Sequence, residues 1–361
     1  MPSKFYRDRP YNDLPLLPPS EEAETRAVLK LAVSARSAVE GLKHAGKTIP
    51  NQTVLLRAIV LQEARSSSEI ENIVTTNDDL YRALSKEDES TNPQTKEVLR
   101  YASSVWQGFD LVQRGKRLDA SVYSDLASMI LQNEVKVRAS TGTRVGNPRT
   151  REVIYTPPEG VDVISRLLDN LVDFQYGPSE LDPLVKVAIG HYQFEATHPF
   201  HDGNGRTGRV LKILWMVEKG LLDLPVLYLS RAIIESKSEY YAHLRRVTEQ
   251  AQWEPWISYF LEIIEVTALE TRRRIEVIRR AVDEAKLKAR ERAPKIYSSE
   301  LIDLVFSQPY TRISCLEAAG IAKRQTASLY LKELERIGLL RSQTHWRETI
   351  YVNDELMTAL T

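Results

Sequence analysis

His198-Pro199-Phe200-His201-Asp202-Gly203-Asn204-Gly205-Arg206-Thr207-Gly208-Arg209 decides the reading of this chain. Within it stand a base, a carboxylate, a glycine-rich turn and two arginines. Apolar residues on both sides (Val185, Ala188, Ile189 and Phe194 before; Val210, Leu211, Ile213, Leu214 and Val217 after) predict two buried helices joined by a tight loop. Gly203 and Gly205 let the backbone turn and approach a ligand closely. The free N–H groups at a helix start favour an anion. Asp202 can hold a divalent cation, and Arg206 and Arg209 can grip phosphate oxygens bidentately. His198 has the unperturbed pKa of a general base near neutral pH.

Other readings compete. Gly203-x-Gly205-x-x-Gly208 formally matches the dinucleotide fingerprint, but that fingerprint follows a strand and this one follows a helical segment. His201-Asp202 is the dipeptide of HD metal phosphohydrolases, which need further ligands on separate helices. His191, His198 and His201 lie close enough to suggest zinc. No cysteine joins them, and Pro199 and Gly203 argue against one helix through His198 and Asp202. A merely structural turn would have little reason to combine Gly-Asn-Gly with two spaced arginines.

The stretch resembles the signature of Fic proteins, His-Pro-Phe-x-Asp/Glu-Gly-Asn-Gly-Arg-x-x-Arg, with every fixed position present. The resemblance continues through His191-x-x-Phe194-Glu195 upstream and through Leu229-Ser230 and Tyr240-Tyr241 downstream. It covers roughly residues 5 to 265. The fold it implies is mainly α: a Fic-type helical core with a small β-hairpin flap, followed by a C-terminal winged helix-turn-helix domain. The expected division is 1–93 (N-terminal helices with an inhibitory helix), 94–265 (Fic core), 266–293 (helical connector) and 294–361 (winged helix).

Composition agrees with an ordinary globular protein. The 361 residues carry 49 Lys+Arg against 49 Asp+Glu, so no global charge points to nucleic acid or an anionic membrane. Cys315 is the only cysteine, which forbids an intrachain disulfide and suits a reducing, cytoplasmic setting. The N-terminus has no apolar signal core, and no apolar run is long enough to span a membrane.

Residues 1–19 hold five prolines and read as an extended arm laid over the surface. Ser20 is the expected cap of a first helix whose first turn carries Glu21, Glu22 and Glu24. A second helix runs from near Asn51 into Ser66-Ser67-Ser68-Glu69-Ile70-Glu71-Asn72. In isolation this is a polar helix end. Set against the family it matches the inhibitory pattern Ser/Thr-x-x-x-Glu-Gly/Asn, with Ser67 and Glu71 on one helix face. Residues 85–93 read as a polar loop, with helices near 94–114 and 119–132. Arg144-Val145-Gly146 and Glu152-Val153-Ile154-Tyr155 read as short strands around Asn147-Pro148-Arg149-Thr150. The family resemblance makes them a flap that docks an extended target segment by strand addition through Val145, Val153 and Ile154. Tyr240 reads as core, whereas Tyr241 and Leu244 become candidates for the adenine pocket. The run Glu270–Arg292 reads as a solvated helical connector. Beyond Pro294, helices at 301–306, 315–319 and 324–337 followed by two strands resemble a winged helix. Its Lys323-Arg324-Gln325-Thr326 stands where base edges would be met. Eight basic and eight acidic residues leave that segment without net charge, so protein contact, a homodimer and DNA all stay open.

The resemblance implies transfer of AMP from ATP to a protein hydroxyl, on a separate protein or on itself. His198 is then the base and Asp202 the ligand of Mg²⁺. Gly203, Asn204, Gly205, Arg206, Thr207, Gly208 and Arg209 bind the phosphates, with Arg209 at the γ-phosphate. A Glu71–Arg209 ion pair, braced by Ser67 or Asn72, is expected to restrain the enzyme. The alternatives are a DNA-binding regulator with a Fic sensor, an HD-type phosphohydrolase, and a Fic enzyme that also removes AMP.

Overall fold

A computed structural model describes residues 5–47, 52–84, 91–146, 152–345 and 348–360. The catalytic-signature region is preceded by α1 (Arg26–Lys47), α2 (Gln52–Ile70), α3 (Asn77–Leu84), α4 (Pro93–Gln113) and α5 (Ala120–Leu131). An antiparallel hairpin follows, β1 (Val145–Gly146) with β2 (Val153–Tyr155). Then come α6 (Val161–Tyr176), α7 (Pro183–Thr197), α8 (Asn204–Glu218), α9 (Leu229–Glu235), α10 (Lys237–Gln250) and α11 (Trp253–Arg292). The C-terminal unit consists of α12 (Ser299–Val305), β3 (Tyr310–Thr311), α13 (Ile313–Ala318), α14 (Arg324–Arg336), β4 (Arg341–His345), β5 (Glu348–Val352) and α15 (Asp354–Leu360).

Helix starts follow their side chains. Asn92 accepts from Thr95 N at 2.7 Å ahead of Pro93, and Asp119 caps α5 through Ser121 and Val122. Asp182 caps α7 through Leu184 N at 2.8 Å, again ahead of a proline. Helices α7 and α8 are buried on nearly every side, the mark of central helices. Val185, Ile189, Val210, Leu211 and Leu214 fill the space between their neighbours α4, α5 and α6. Each such side chain contributes about 1.5–3 kcal/mol by leaving water. The polar loop 198–203 is thus held between the two most buried helices of the protein.

The first helix departs from expectation. It starts at Arg26, behind Thr25, whose Oγ1 accepts from Val28 N at 3.3 Å, and not at Ser20. Ala23 is drawn into the core, and Glu24 is engaged elsewhere, accepting from Asp182 N at 2.5 Å. The proline-rich arm goes deeper than the surface. Tyr11, Leu14 and Leu17 are buried, and Asn170 exchanges hydrogen bonds with both backbone groups of Leu17.

Helix α11 is continuous across residues 265 and 266. It runs parallel to α1: Ser34 meets Glu265 at 2.5 Å, and Gly41, seven residues on, lies against Arg272. The expected solvated connector is half solvated. One face carries the charges, while Ile275, Ile278, Ala281, Ala285 and Ala289 are buried. The C-terminal unit has a three-stranded antiparallel sheet in the order β3-β5-β4. It is docked on α11 through Arg274 Nη1 to Leu360 O (2.9 Å) and Lys288 Nζ to Gly338 O (3.0 Å). Tyr310 donates to Asp78 and packs edge-on against Tyr81 of α3. The expected turn at 147–150 and most of the polar loop at 85–93 lie outside the described residues.

Candidate functional site

Helix α7 ends in a residue with an unusual backbone. His198 is left-handed (φ 47°, ψ 58°), its N–H closing the helix on Phe194 O at 3.0 Å. The loop beyond is fixed by Asn204: its Oδ1 accepts from Phe200 N and its Nδ2 donates to Phe200 O, both at 2.8 Å. Gly203, at φ 76°, makes the turn into α8, and its N–H donates to Asp202 Oδ1 at 2.6 Å. The α8 ladder begins with Thr207 N to Gly203 O at 2.9 Å. The N–H groups of Asn204, Gly205 and Arg206 precede it and form the positive end of the helix. Gly205 leaves room for the ion pair above it, because a Cβ there would lie 2.6 Å from Glu71 Oε1 and 2.8 Å from Arg209 Nη1 and would push both side chains aside.

Helix α2 stops directly above this end. Asn72 takes the left-handed conformation (φ 65°) that closes a helix. Lys237 Nζ caps the Ile70 carbonyl at 2.6 Å. Glu71 is thereby held over both arginines. Its Oε1 accepts from Arg209 Nη2 and its Oε2 from Arg206 Nε, each at 2.7 Å. Arg209 also donates to Ser67, through Nε to the hydroxyl at 2.7 Å and through Nη2 to the carbonyl at 2.9 Å. Arg206 has two further carboxylates, Glu97 and, at 3.4 Å, Asp202. Burial pushes the Glu71 carboxyl up, but the two guanidiniums outweigh it and hold it below the usual range. Burial, and next the charge of Arg138, push the His198 imidazole down to about 4, which leaves it neutral and able to accept a proton at pH 7.

These groups open into a cavity of about 710 Å³. Of the expected site residues, its wall includes His198, Asp202, Gly203, Asn204, Gly205, Arg209, Glu71 and Asn72, with Tyr241 and Leu244 on α10 and Val145 and Ile154 on the flap. Arg206, Thr207, Gly208, Ser67 and Val153 do not line it. Thr207 uses its N–H in the helix, and Gly208 packs against Phe194 and Glu195 of α7. Tyr240 is core, its hydroxyl 2.9 Å from His191 Nε2.

Sequence reasoning missed several contributors. Phe5 of the arm stacks on Tyr155 and joins the cavity wall. Glu97 is one charge among many on an amphipathic helix, so nothing in the pattern singled it out. Glu195, which entered the sequence reading as part of the family resemblance without a role, is held beside Gly208, where burial pushes its carboxyl up to about 7. Beneath it Lys212, fully buried with no hydrogen-bond partner for its Nζ, is pushed down by burial to about 7. Arg138 grips the loop from below.

Asp202 is a mostly exposed carboxylate with no partner acid for a metal cage; among the described residues no cluster of three or more His, Cys, Asp and Glu exists. A lone exposed oxygen ligand fits Mg²⁺, which keeps waters and substrate phosphates as its other ligands. It does not fit the tight metal centre of an HD-type phosphohydrolase.

The same arrangement is recognised by comparison. Residues 29–110 match the Fic/DOC family N-terminal model, and residues 117–216 match the Fic/DOC family model itself. The chain belongs to the Fic/DOC family. Residues 281–356 match the C-terminal domain of protein adenylyltransferase SoFic-like proteins. Among individual relatives, the protein adenylyltransferase fic-1 of Caenorhabditis elegans is 37% identical over 121 residues, 32% of this chain and 22% of that protein. A probable protein adenylyltransferase of Aquifex aeolicus is 27% identical over 192 residues, 53% of this chain and 55% of that one. The chain thus spans between about a fifth and just over half of these relatives. A Fic family protein from Desulfovibrio desulfuricans superposes with a TM-score of 0.58 at 18% identity, covering 93% of this chain and 98% of its own. C. elegans Fic-1 superposes at 0.51 with 21% identity, over 68% and 72%. Both share the fold. Among the described residues no helix is long and apolar enough to cross a membrane.

Proposed function

We propose that the chain is a protein adenylyltransferase held in check by Glu71. The observation that carries this reading is the Glu71 carboxylate bridging Arg206 and Arg209 at 2.7 Å inside the cavity that also holds His198. The relatives named above as protein adenylyltransferases support it. In this reading ATP lies with its base between Tyr241 and Leu244 and its phosphates on the α8 N-terminus. Asp202 would hold Mg²⁺, which supplies charge neutralisation to the phosphates when bound. Asn204 and Gly205 offer backbone N–H groups to them, Arg206 serves the β-phosphate and Arg209 the γ-phosphate. A Ser, Thr or Tyr of the target pairs its backbone with the flap. His198 takes its hydroxyl proton, the oxygen bonds to the α-phosphorus, and the bond to pyrophosphate breaks. Catalysis comes from placement and fixed charge.

The restraint follows from competition. While Glu71 occupies Arg209, the γ-phosphate meets a carboxylate where it needs a guanidinium. The same Glu71 could orient water for removal of AMP, and its place in the cavity wall keeps that second activity in play. Residues 294–361 we read as a winged-helix module. Lys323, Arg324, Gln325 and Thr326 are exposed at the start of α14, but the neutral charge favours a protein partner or a second copy over DNA.

The test is incubation with α-labelled ATP, with γ-labelled ATP as control, followed by mass spectrometry. AMP on a hydroxyl of this or another protein is the expected result. No transfer from the α-label, even with Glu71→Gly, overturns the reading. Gel shifts on genomic fragments decide between the two uses of the C-terminal module.

A further inference from the structure

Arg138 lies between α5 and the flap, in no motif, and only 1% of it is exposed. Its side chain reaches main-chain carbonyls alone. Nε donates to His198 O at 2.8 Å, and Nη2 donates to Pro158 O and, at 3.5 Å, to Thr197 O. Its backbone N–H donates to Pro199 O at 2.9 Å. Pro158 belongs to the segment returning from β2. One guanidinium therefore ties the last turn of α7, the base-bearing turn and the root of the flap into a single unit.

The ordinary explanation is a cap: the last carbonyls of a helix need partners. It does not account for the choice of carbonyl. His198 is not glycine, yet it is left-handed, a conformation that persists only where surroundings over-determine it. The bond to His198 O fixes that backbone, and the backbone sets where the imidazole points.

We propose that Arg138 is a positioning residue: it aims His198 at the acceptor hydroxyl by gripping, with one side chain, the base's own carbonyl and the root of the strand that docks the target. The proposal rests on the adenylyl-transfer reading. A buried arginine suits the task because its planar fork holds two carbonyls in fixed geometry. Its charge has a second effect. Burial first and Arg138 next depress the His198 imidazole, whereas a hydrogen bond to the Glu195 backbone, and then the acids Glu71 and Asp202, act the other way.

The test compares wild type, Arg138→Lys and Arg138→Met for transfer rate at saturating ATP, ATP affinity and pH profile. Loss of the grip should cost Arg138→Met about 100-fold in rate, since small misplacement at a reacting centre has that effect. ATP affinity should stay near wild type, and the acid limb of the profile should move to higher pH. Arg138→Lys keeps the charge and one donor, so it should recover part of the rate and leave the acid limb in place. Transfer by Arg138→Met at the wild-type rate overturns the proposal. So do rate and ATP affinity falling together in both variants, which marks general support of the fold. If Arg138→Met is insoluble, Arg138→Lys decides alone: a slower rate at unchanged ATP affinity supports the proposal and an unchanged rate overturns it. If neither the wild type nor Glu71→Gly transfers AMP, the transfer reading is rejected instead; if only Glu71→Gly transfers, the Arg138 variants are compared in that background. Where neither transfers, the positioning is read from the NMR chemical shifts and order of the His198 backbone and ring, where a change in Arg138→Met that is smaller in Arg138→Lys supports it, and no change in either overturns it.

Discussion

The loop wall and the flap wall enclose the same cavity with very different amounts of fixation. Along residues 198–209 the loop is tied by side chains: Asn204 with both backbone groups of Phe200, Gly203 with Asp202, Arg209 with Ser67 and Glu71. Facing it, β1 has two residues and β2 three, all half-buried or exposed, with an irregular register. In the adenylyl-transfer reading proposed above, the loop presents one base and one anion seat to one kind of ligand, which suits a wall with little slack. In the same reading the flap accepts a chain from elsewhere, which suits a wall that offers backbone and little else. Chemistry should therefore fail sharply when the loop wall is altered and docking should fade gradually when the flap is.

The sharpest test of that contrast removes the base. His198→Ala should lower transfer by at least ~100-fold, the lower end of what a positioned general base contributes, while ATP affinity is kept. Undiminished labelling by this variant removes His198 from the mechanism. The next effect has the opposite sign. Glu71→Gly removes the carboxylate from Arg209, while Arg206 keeps Glu97 and Asp202; a charge-assisted bond contributes roughly 1.5–3 kcal/mol, so labelling should rise on the order of 10- to 100-fold. A change in melting temperature without activation would reduce Glu71 to a structural role. The same variant shows whether release of AMP from modified protein depends on Glu71. A smaller effect belongs to Tyr241→Ala, which should weaken ATP binding about fivefold if the ring stacks on the base, given ~1 kcal/mol for such a stack. An unchanged affinity moves the base out of this corner. The smallest is expected at the flap. Val153→Pro deletes one backbone donor, and a net ~0.5–1 kcal/mol corresponds to a roughly two- to fivefold loss of target labelling with ATP affinity unchanged. A parallel loss of ATP binding would show that the flap is held no less tightly than the loop, and the contrast would fall.

What could be read in the sequence divides along the same line. The twelve-residue stretch specified its own loop because the helices around it are apolar on all sides and the glycines occupy the positions where the backbone turns or is approached. The Glu71–Arg209 contact was foreseeable through the resemblance to the family's inhibitory pattern; the spacing of Ser67 and Glu71 alone puts them on one helix face and names no partner. Arg138 and Glu97 were not foreseeable, because each acts across a long sequence separation on a partner that no local pattern names. Ser20 misled for a related reason: it has the chemistry of a cap, but Glu24 and Ala23 were claimed by other parts of the fold. The charged half of α11 looked solvated because its buried face is made of alanines spaced among charges, a weak apolar signal.

The two hydrogen bonds between Asn204 and Phe200 carry a consequence for how the protein ages. Asn204-Gly205 is the type of dipeptide most prone to spontaneous deamidation, in which the glycine nitrogen attacks the asparagine side chain. That attack needs a mobile amide. Here both amide atoms are engaged at 2.8 Å, the residue is 3% exposed, and its neighbour is locked in a helix. Conversion to aspartate would set a carboxylate against the Phe200 carbonyl, in the seat meant for an anion. The bonds that shape the loop thus also protect it from chemical wear, and the protein's working lifetime is bound up with the fit of one side chain.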